Sequence, residues 1–176
     1  SAGGVGLIAG QWLKSLGIKT IGTAGTEEKC LLAKQHGYEH VINYNKEDFQ
    51  KVAMELTNGE GFDVVFDSVG QTTMAGSFGC LKKHGTLISF GQSSGVYTDL
   101  KIGDLQAGSF FLSRPTLFHF TPIPGWLDNA TAILFKMIKE NKIDIQYNNT
   151  YDLENLGQAH DEIENRRTTG SVILKV

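Results

Sequence analysis

The sequence predicts an α/β fold: an open, doubly wound parallel sheet with helices packed on its faces. Three observations predict it. Short apolar strands alternate with helical segments along the first two thirds of the chain, joined by short links. Twenty-one of the 176 residues are glycine and only three are proline, against a usual glycine share of about 7%. In an ordered chain so many glycines mean tight turns and close backbone approaches. Finally, the chain opens on Ser1-Ala2-Gly3-Gly4-Val5-Gly6, directly before an amphipathic helix.

Val5, Ile8, Ala9, Trp12, Leu13 and Leu16 recur at helical spacing, and Gly17 supplies a stop, which gives a helix over about 4–16. A short strand follows over 18–23. Thr26 is the natural N-cap of a helix that Gly37 ends. Residues 40–43 read as a strand, 46–56 as a helix, and Asn58-Gly59-Glu60-Gly61 as a turn. Phe62 to Asp67 reads as a buried strand ending in an acid. A helix over 72–81 follows despite Gly76 and Gly79, each costing about 1 kcal/mol against Ala. A strand over 85–90 runs into Gly91, then come a polar loop, a short helix over 102–107 and a strand over 109–113. The character changes past Arg114-Pro115, with Pro122 and Pro124 marking a junction. A long helix from Trp126, a strand over 147–152, a helix over 156–165 and a strand over 171–176 complete the chain. Right-handed crossovers fix most of the topology of the parallel part.

Composition excludes several classes of function. Sixteen Lys and Arg against nineteen Asp and Glu give a net charge of −3, with no block of one sign. A nucleic-acid footprint is therefore not expected. No stretch approaches the roughly 20 apolar residues of a membrane span, and the start has none of the features of a signal peptide. Cys30 and Cys80 lie far apart with no paired-cysteine motif. Neither a disulfide scaffold nor a metal site is expected, and a reducing, cytoplasmic setting fits. The sequons at Asn129 and Asn148 carry no meaning there.

The opening residues read as the dinucleotide fingerprint G-x-G-x-x-G with Ser1 at the first glycine position. Small residues are required because the backbone must approach a pyrophosphate while the following helix offers free N–H groups and a positive dipole end. Gly3 and Gly4 allow that approach, and Gly6 lets the helix pack closely. The fingerprint follows a strand in such folds, so the sheet is expected to lack its first, central strand in this chain. An NAD-type site places Asp or Glu at the end of the second strand. Here that strand ends Gly22-Thr23-Ala24-Gly25-Thr26, with Glu27 and Glu28 already in a helix and Lys29 after them. The missing acid and the nearby cation favour a 2′-phosphate, hence NADP(H). Ser68 and Phe90 fall at the carboxyl ends of parallel strands, where ligands bind in open α/β sheets. Asp67 reads as a turn cap, and His84 as a turn residue.

Several motifs in order resemble the quinone oxidoreductases, the zeta-crystallin-like, zinc-free branch of the medium-chain dehydrogenases/reductases. They are Ala-Gly-Gly-Val-Gly-Leu-Ile-Ala-x-Gln-Trp (2–12), Ile-Gly-Thr (21–23), Val-Ile-Asn-Tyr (41–44), Val-Phe-Asp-Ser-Val-Gly (65–70), Ser-Phe-Gly-x-Ser-Ser-Gly (89–95) and Arg-Pro (114–115). The resemblance implies a Rossmann-like NADP(H)-binding domain over 1–119 and, over 120–176, a segment returning to a GroES-like catalytic domain. It implies that Gly3, Gly4 and Val5 border the pyrophosphate, and that Thr26, Lys29 and Tyr44 surround the adenosine ribose and its 2′-phosphate. It places Ser68 at a strand end, Phe90, Gly91 and Ser93 beside the nicotinamide, and Arg166 against the cofactor. It implies hydride transfer from NADPH to a quinone or similar conjugated carbonyl, and a homodimer through the apolar edge strand Ser109 to Ser113.

No catalytic residue is named, because the substrate-facing domain of that family lies largely outside the resemblance; the chain alone is expected to be inactive. Two alternatives stay open: a zinc-type alcohol dehydrogenase or enoyl reductase of the same superfamily, and a non-catalytic NADPH-binding or structural module.

Overall fold

The computed structural model describes residues 1–147 and 149–176. The sequon at Asn148 lies outside them. Contacts divide the chain into two compact units, one made of Ser1–Glu47 with Ala130–Val176, the other of Asp48–Asn129.

In the first unit, helix α1 (Gly4–Ser15) leads to strand β1 (Ile21–Ala24), helix α2 (Glu27–Gln35) and strand β2 (His40–Asn43). β1 and β2 pair in parallel from Ile21 opposite His40 to Ala24 opposite Asn43. Gly17, at φ +73°, turns the chain out of α1. Thr26 caps α2 as its sequence predicts, its hydroxyl accepting from the Lys29 backbone N–H at 3.2 Å. Tyr38 fixes α1 from below, donating its hydroxyl hydrogen to the Gly6 carbonyl at 2.9 Å. Desolvation raises the Tyr38 pKa above its ordinary value, so this hydroxyl stays a donor to higher pH than a free tyrosine does.

The second unit contains α3 (Phe49–Leu56), β3 (Phe62–Asp67), α4 (Met74–Gly79), β4 (Leu81–Ser89) and β5 (Phe111–Ser113). Its sheet runs in the order β3-β4-β5, all parallel. Helix α3 begins at Phe49 rather than 46 because Asp48 is the cap: its Oδ1 accepts from the N–H groups of Gln50 and Lys51 at 3.0 and 3.1 Å. α4 is shorter than expected, and β4 starts at Leu81. The register jumps between Phe62–Leu81 and Val64–Thr86, so the intervening residues bulge. His84, at φ +62°, turns within that bulge. The expected helix over 102–107 is a 3-10 turn, Ile102–Ala107. Met74, Leu81 and Leu87 form the buried core, with Val65, Phe78, Tyr97 and Phe110 packed against it.

The expected burial of the strand over 62–67 is corrected as well. The strand Phe62–Asp67 is not buried along its length: Val64 is 44% and Phe66 58% exposed. β3 is the edge of its sheet, so a continuous apolar run does not guarantee cover on both faces.

Helix α5 (Trp126–Lys139) precedes β6 (Asn149–Asp152), α6 (Leu156–Glu164) and β7 (Val172–Lys175). β6 and β7 form a separate parallel pair. Within the first unit, Gly3 and Gly170 make an isolated parallel bridge, and the Gly170 N–H donates to the Ala2 carbonyl at 3.0 Å. No helix among the described residues is long and apolar enough to cross a membrane.

Candidate functional site

The candidate residues fall in both units, and each group has its own geometry. In the first unit, Gly3 is the N-cap residue of α1. No side chain caps that helix, and no acid stands in its first turn. The first-turn N–H groups of a helix have no partner within it, so the twelve-residue α1 presents a positive dipole end with the N–H groups of Val5 and Gly6 unpaired within the helix, while Gly4 packs against Gly170 and Ser171. A Cβ placed on Gly3 would meet nothing within 4 Å; the space over this peptide is open. A Cβ on Gly6 would collide with the Ser1 carbonyl oxygen. Gly6 is thus a packing requirement, as the spacing predicts, and Gly3 is a point of access. Val5 is exposed beside it.

The end of β1 lies nearby in the same unit. Tyr44 follows β2, donates its backbone N–H to Ala24 at 3.1 Å, and sets its hydroxyl against Gly25. Asn45 donates its side-chain amide to the Gly25 carbonyl at 2.7 Å. Glu27, the first residue of α2, is engaged elsewhere. It accepts from Asn43 at 2.8 Å and pairs with Lys46 at 3.1 Å. The Asn43 amide first, and then Lys46, hold its carboxyl below the usual carboxylate range. Lys29 donates its ammonium hydrogen to the backbone carbonyl of Arg166. Arg166 itself sits at φ +56°, in the left-handed region, just past the end of α6. Neither cation pairs with a carboxylate among the described residues. Thr26, Lys29, Tyr44 and the Arg166 backbone therefore lie in one unit, near a strand end where Lys29 supplies a cation and Glu27 is already held.

In the second unit the candidates gather at the carboxyl ends of β3 and β4. Asp67, 4% exposed, ends β3. It accepts four hydrogen bonds: from the N–H groups of Val69 (2.7 Å) and Gly70 (3.0 Å) and the hydroxyls of Thr73 (2.8 Å) and Ser77 (2.7 Å). These lock the turn that carries Ser68. The loop after β4 crosses that turn. Phe90 N–H donates to the Asp67 carbonyl at 2.9 Å, and Ser93 N–H to the Ser68 carbonyl at 3.2 Å. A Cβ on Gly91 would fall 2.9 Å from the Ser68 Cα, so only glycine permits the crossing. The Phe90 ring lies edge-on to Phe66, with centroids 6.4 Å apart. Ser68, Phe90, Gly91 and Ser93 thus form one backbone shelf.

Sequence reasoning missed two residues here. The Ser94 hydroxyl accepts from the Thr72 N–H at 3.1 Å and donates to the Val69 carbonyl at 2.8 Å, joining the two loops. Arg114, immediately after β5, donates from Nη1 to the Ser89 carbonyl at 3.0 Å. Its position just past a strand's carboxyl end was the available signal. Arg114, Gly91, Met74, Tyr97, Leu100 and Leu112 line a cavity of ≈ 250 Å³. Cys30 and Cys80 are buried free thiols. Among the described residues no group of three or more His, Cys, Asp or Glu could hold a metal ion.

A glycine-rich turn at a helix N-terminus, followed by parallel βαβ structure with ligand-facing strand ends, defines a dinucleotide-binding α/β protein. The family model described as zinc-binding dehydrogenase matches residues 4–121, and the chain belongs to that family. The zinc in the family description finds no ligand set among the described residues. Over 99% of its length the chain is 42% identical to a quinone oxidoreductase of Pseudomonas aeruginosa, covering 54% of that protein. It is 37% identical to a 2-haloacrylate reductase of Burkholderia sp., over 99% of the chain and 53% of the relative. The crystal structure of Escherichia coli quinone oxidoreductase complexed with NADPH superposes with a TM-score of 0.95 at 41% identity, over 99% of this chain and 55% of that one. The chain spans about half the length of the curated relatives it matches. The quinone-oxidoreductase resemblance therefore holds from end to end of this chain.

Proposed function

We propose that this chain is the NADP(H)-binding part of a quinone reductase that passes a hydride from NADPH to a quinone or a small conjugated carbonyl compound. One observation carries the reading. Lys29 stands beside the end of β1 with its ammonium on the main-chain carbonyl of Arg166, while Glu27, an acid that could accept from a ribose 2′-hydroxyl, is held by Asn43 and Lys46. A doubly charged phosphate suits that arrangement; a bare ribose does not. The NADPH in the E. coli quinone oxidoreductase structure and the names of the relatives support the same reading.

In this reading Gly3, Gly4 and Val5 receive the pyrophosphate at the N-terminus of α1, which no side chain caps. Thr26, Lys29, Tyr44 and Arg166 surround the adenosine ribose and its 2′-phosphate. Ser68, Phe90, Gly91 and Ser93 flank the nicotinamide, and their cross-linked backbone keeps the shelf rigid. NADPH, when bound, supplies the hydride and its electron pair; the chain's own residues bind, orient and exclude water. Residues 1–119 form the cofactor domain and 120–176 the segment joining the catalytic domain. β5 is the last strand of its sheet and Phe111 is 61% exposed, which supports a homodimer through Ser109 to Ser113. Two unpaired, buried cysteines suit the cytoplasm.

The test is NADPH oxidation by the full-length protein that contains this chain, in the presence of menadione and followed by loss of NADPH absorbance, alongside direct cofactor binding by the chain. Binding of NADPH with menadione-dependent oxidation supports the proposal. Binding without oxidation makes the chain a nucleotide-binding module, and no binding removes the reading altogether.

A further inference from the structure

The cavity beside Gly91 is walled by Met74, Leu100 and Leu112, with Tyr97 at its side. Arg114 is the one charged side chain among the described residues that line it. An arginine brings five N–H donors in a rigid fork. One of them, on Nη1, is taken by the Ser89 carbonyl at 3.0 Å. No carboxylate pairs with Arg114 among the described residues. Ser89 ends β4, and Arg114 directly follows Ser113, the last residue of β5. Because Ile88 is in register with Ser113, the two strand ends stand side by side. The tether therefore fixes the guanidinium at the carboxyl edge of the sheet, where ligands bind in open α/β folds. A cation tethered to the Ser89 carbonyl, unpaired with an acid among the described residues and bordering an apolar cavity, is arranged to meet an oxygen carried by an apolar body.

We propose that Arg114 recognises the oxygen of a flat conjugated carbonyl acceptor whose apolar rings occupy this cavity. This rests on the hydride-transfer reading above and names the residue that selects the acceptor. Size agrees: sites for drug-sized ligands run to about 300–1,000 Å³, so ≈ 250 Å³ suits a molecule of one or two rings. The chemistry favours arginine over lysine. A planar fork holds the Ser89 carbonyl with one nitrogen and offers the others to the acceptor. A lysine ammonium, a flexible point charge, has no such division of labour. Acceptors with a full or partial negative charge on oxygen bind best, and neutral hydrocarbons of the same shape bind worst.

The experiment is calorimetric titration of 1,4-naphthoquinone-2-sulfonate, without cofactor, into the wild-type chain, Arg114→Gln, Arg114→Lys and Leu100→Trp. NADPH is titrated separately into each protein. Arg114→Gln is expected to weaken the quinone sulfonate about tenfold, one charge-assisted hydrogen bond's worth, with Arg114→Lys between it and wild type. NADPH affinity should fall less than quinone affinity, since Arg114 touches the Ser89 carbonyl beside the nicotinamide shelf and not the 2′-phosphate end. Leu100→Trp fills the cavity while keeping the guanidinium, so it should abolish quinone binding even if Arg114→Gln folds poorly. Equal quinone affinity in wild type and Arg114→Gln, undiminished binding by Leu100→Trp, or no quinone binding by the wild type overturns the proposal. Loss of NADPH binding by the wild type sinks the cofactor reading instead, and the cofactor-free titration still decides the role of Arg114.

Discussion

The ammonium of Lys29 donates to the main-chain carbonyl of Arg166, joining residues 137 positions apart in sequence. The contact brings a helix-α2 cation and the main chain after α6 to one place, with no carboxylate paired to either among the described residues. A backbone carbonyl is a weaker partner for an ammonium than a phosphate dianion. The clasp is therefore one that a 2′-phosphate can displace.

Replacing Lys29 with Gln removes the cation and leaves a neutral polar side chain one atom shorter. Affinity for NADPH should fall about tenfold, the scale of one charge-assisted hydrogen bond. Affinity for NADH should change by less than about twofold. Fluorescence titration with the two coenzymes measures both. An equal loss for both would mean that Lys29 supports the fold of the loop rather than the phosphate.

The two ends of the glycine loop should respond differently to a methyl group. Gly6→Ala places a Cβ on the Ser1 carbonyl, an overpacking that costs about 1–3 kcal/mol and lowers the midpoint of thermal unfolding. Gly3→Ala meets open space, so its unfolding midpoint should stay near wild type while NADPH binding drops, because the methyl occupies the cofactor's approach. Thermal melts with and without NADPH separate the two.

Asp67 takes four hydrogen bonds in a buried turn. Asp67→Ala leaves four donors without their acceptor and should cost on the order of 3 kcal/mol of stability, at about 1–3 kcal/mol per unsatisfied buried group with partial relaxation. Asp67→Asn keeps one acceptor oxygen and should cost less. Urea denaturation gives both numbers; an Asp67→Ala protein as stable as wild type would contradict the role assigned to this turn.

Burial pushes the Cys80 thiol up to about 11 from an ordinary 9.0. The sign follows from linkage. Below pH 9 the thiol is neutral in both folded and unfolded chains, and its contribution is fully present. As pH rises from about 9 towards 11, the unfolded chain loses this proton first, so stability falls across that window. Urea midpoints should decline more steeply over that range in wild type than in Cys80→Ala. Identical pH profiles would show that Cys80 ionises as freely in the fold as outside it.

Much of this arrangement is legible in the sequence, and the illegible parts have a physical cause. The Thr26 cap, the Gly6 packing position and the acid-poor end of β1 are local, and local rules recover them. The crossing of the Ser68 turn by Gly91 and the Ser94 link are set by loops that meet only after the sheet forms. So is the Lys29–Arg166 clasp, where sequence reasoning could name the two residues through a resemblance but had no means of pairing them. Exposure of Val64 and Phe66 was misread because a run of apolar residues marks a strand without saying which of its faces is covered. Arg114 stood in a recognisable Arg-Pro step, yet only the cavity at its side turns it into a candidate.

The central claim is that this chain holds a nucleotide with a 2′-phosphate through Lys29 and Arg166. Isothermal titration of the chain with NADPH and with NADH tests it most directly. The account predicts that NADPH binds at least about tenfold more tightly, the difference of one charge-assisted contact, and that raising the salt concentration narrows the gap. Equal affinity for the two coenzymes, or a preference for NADH, would contradict it.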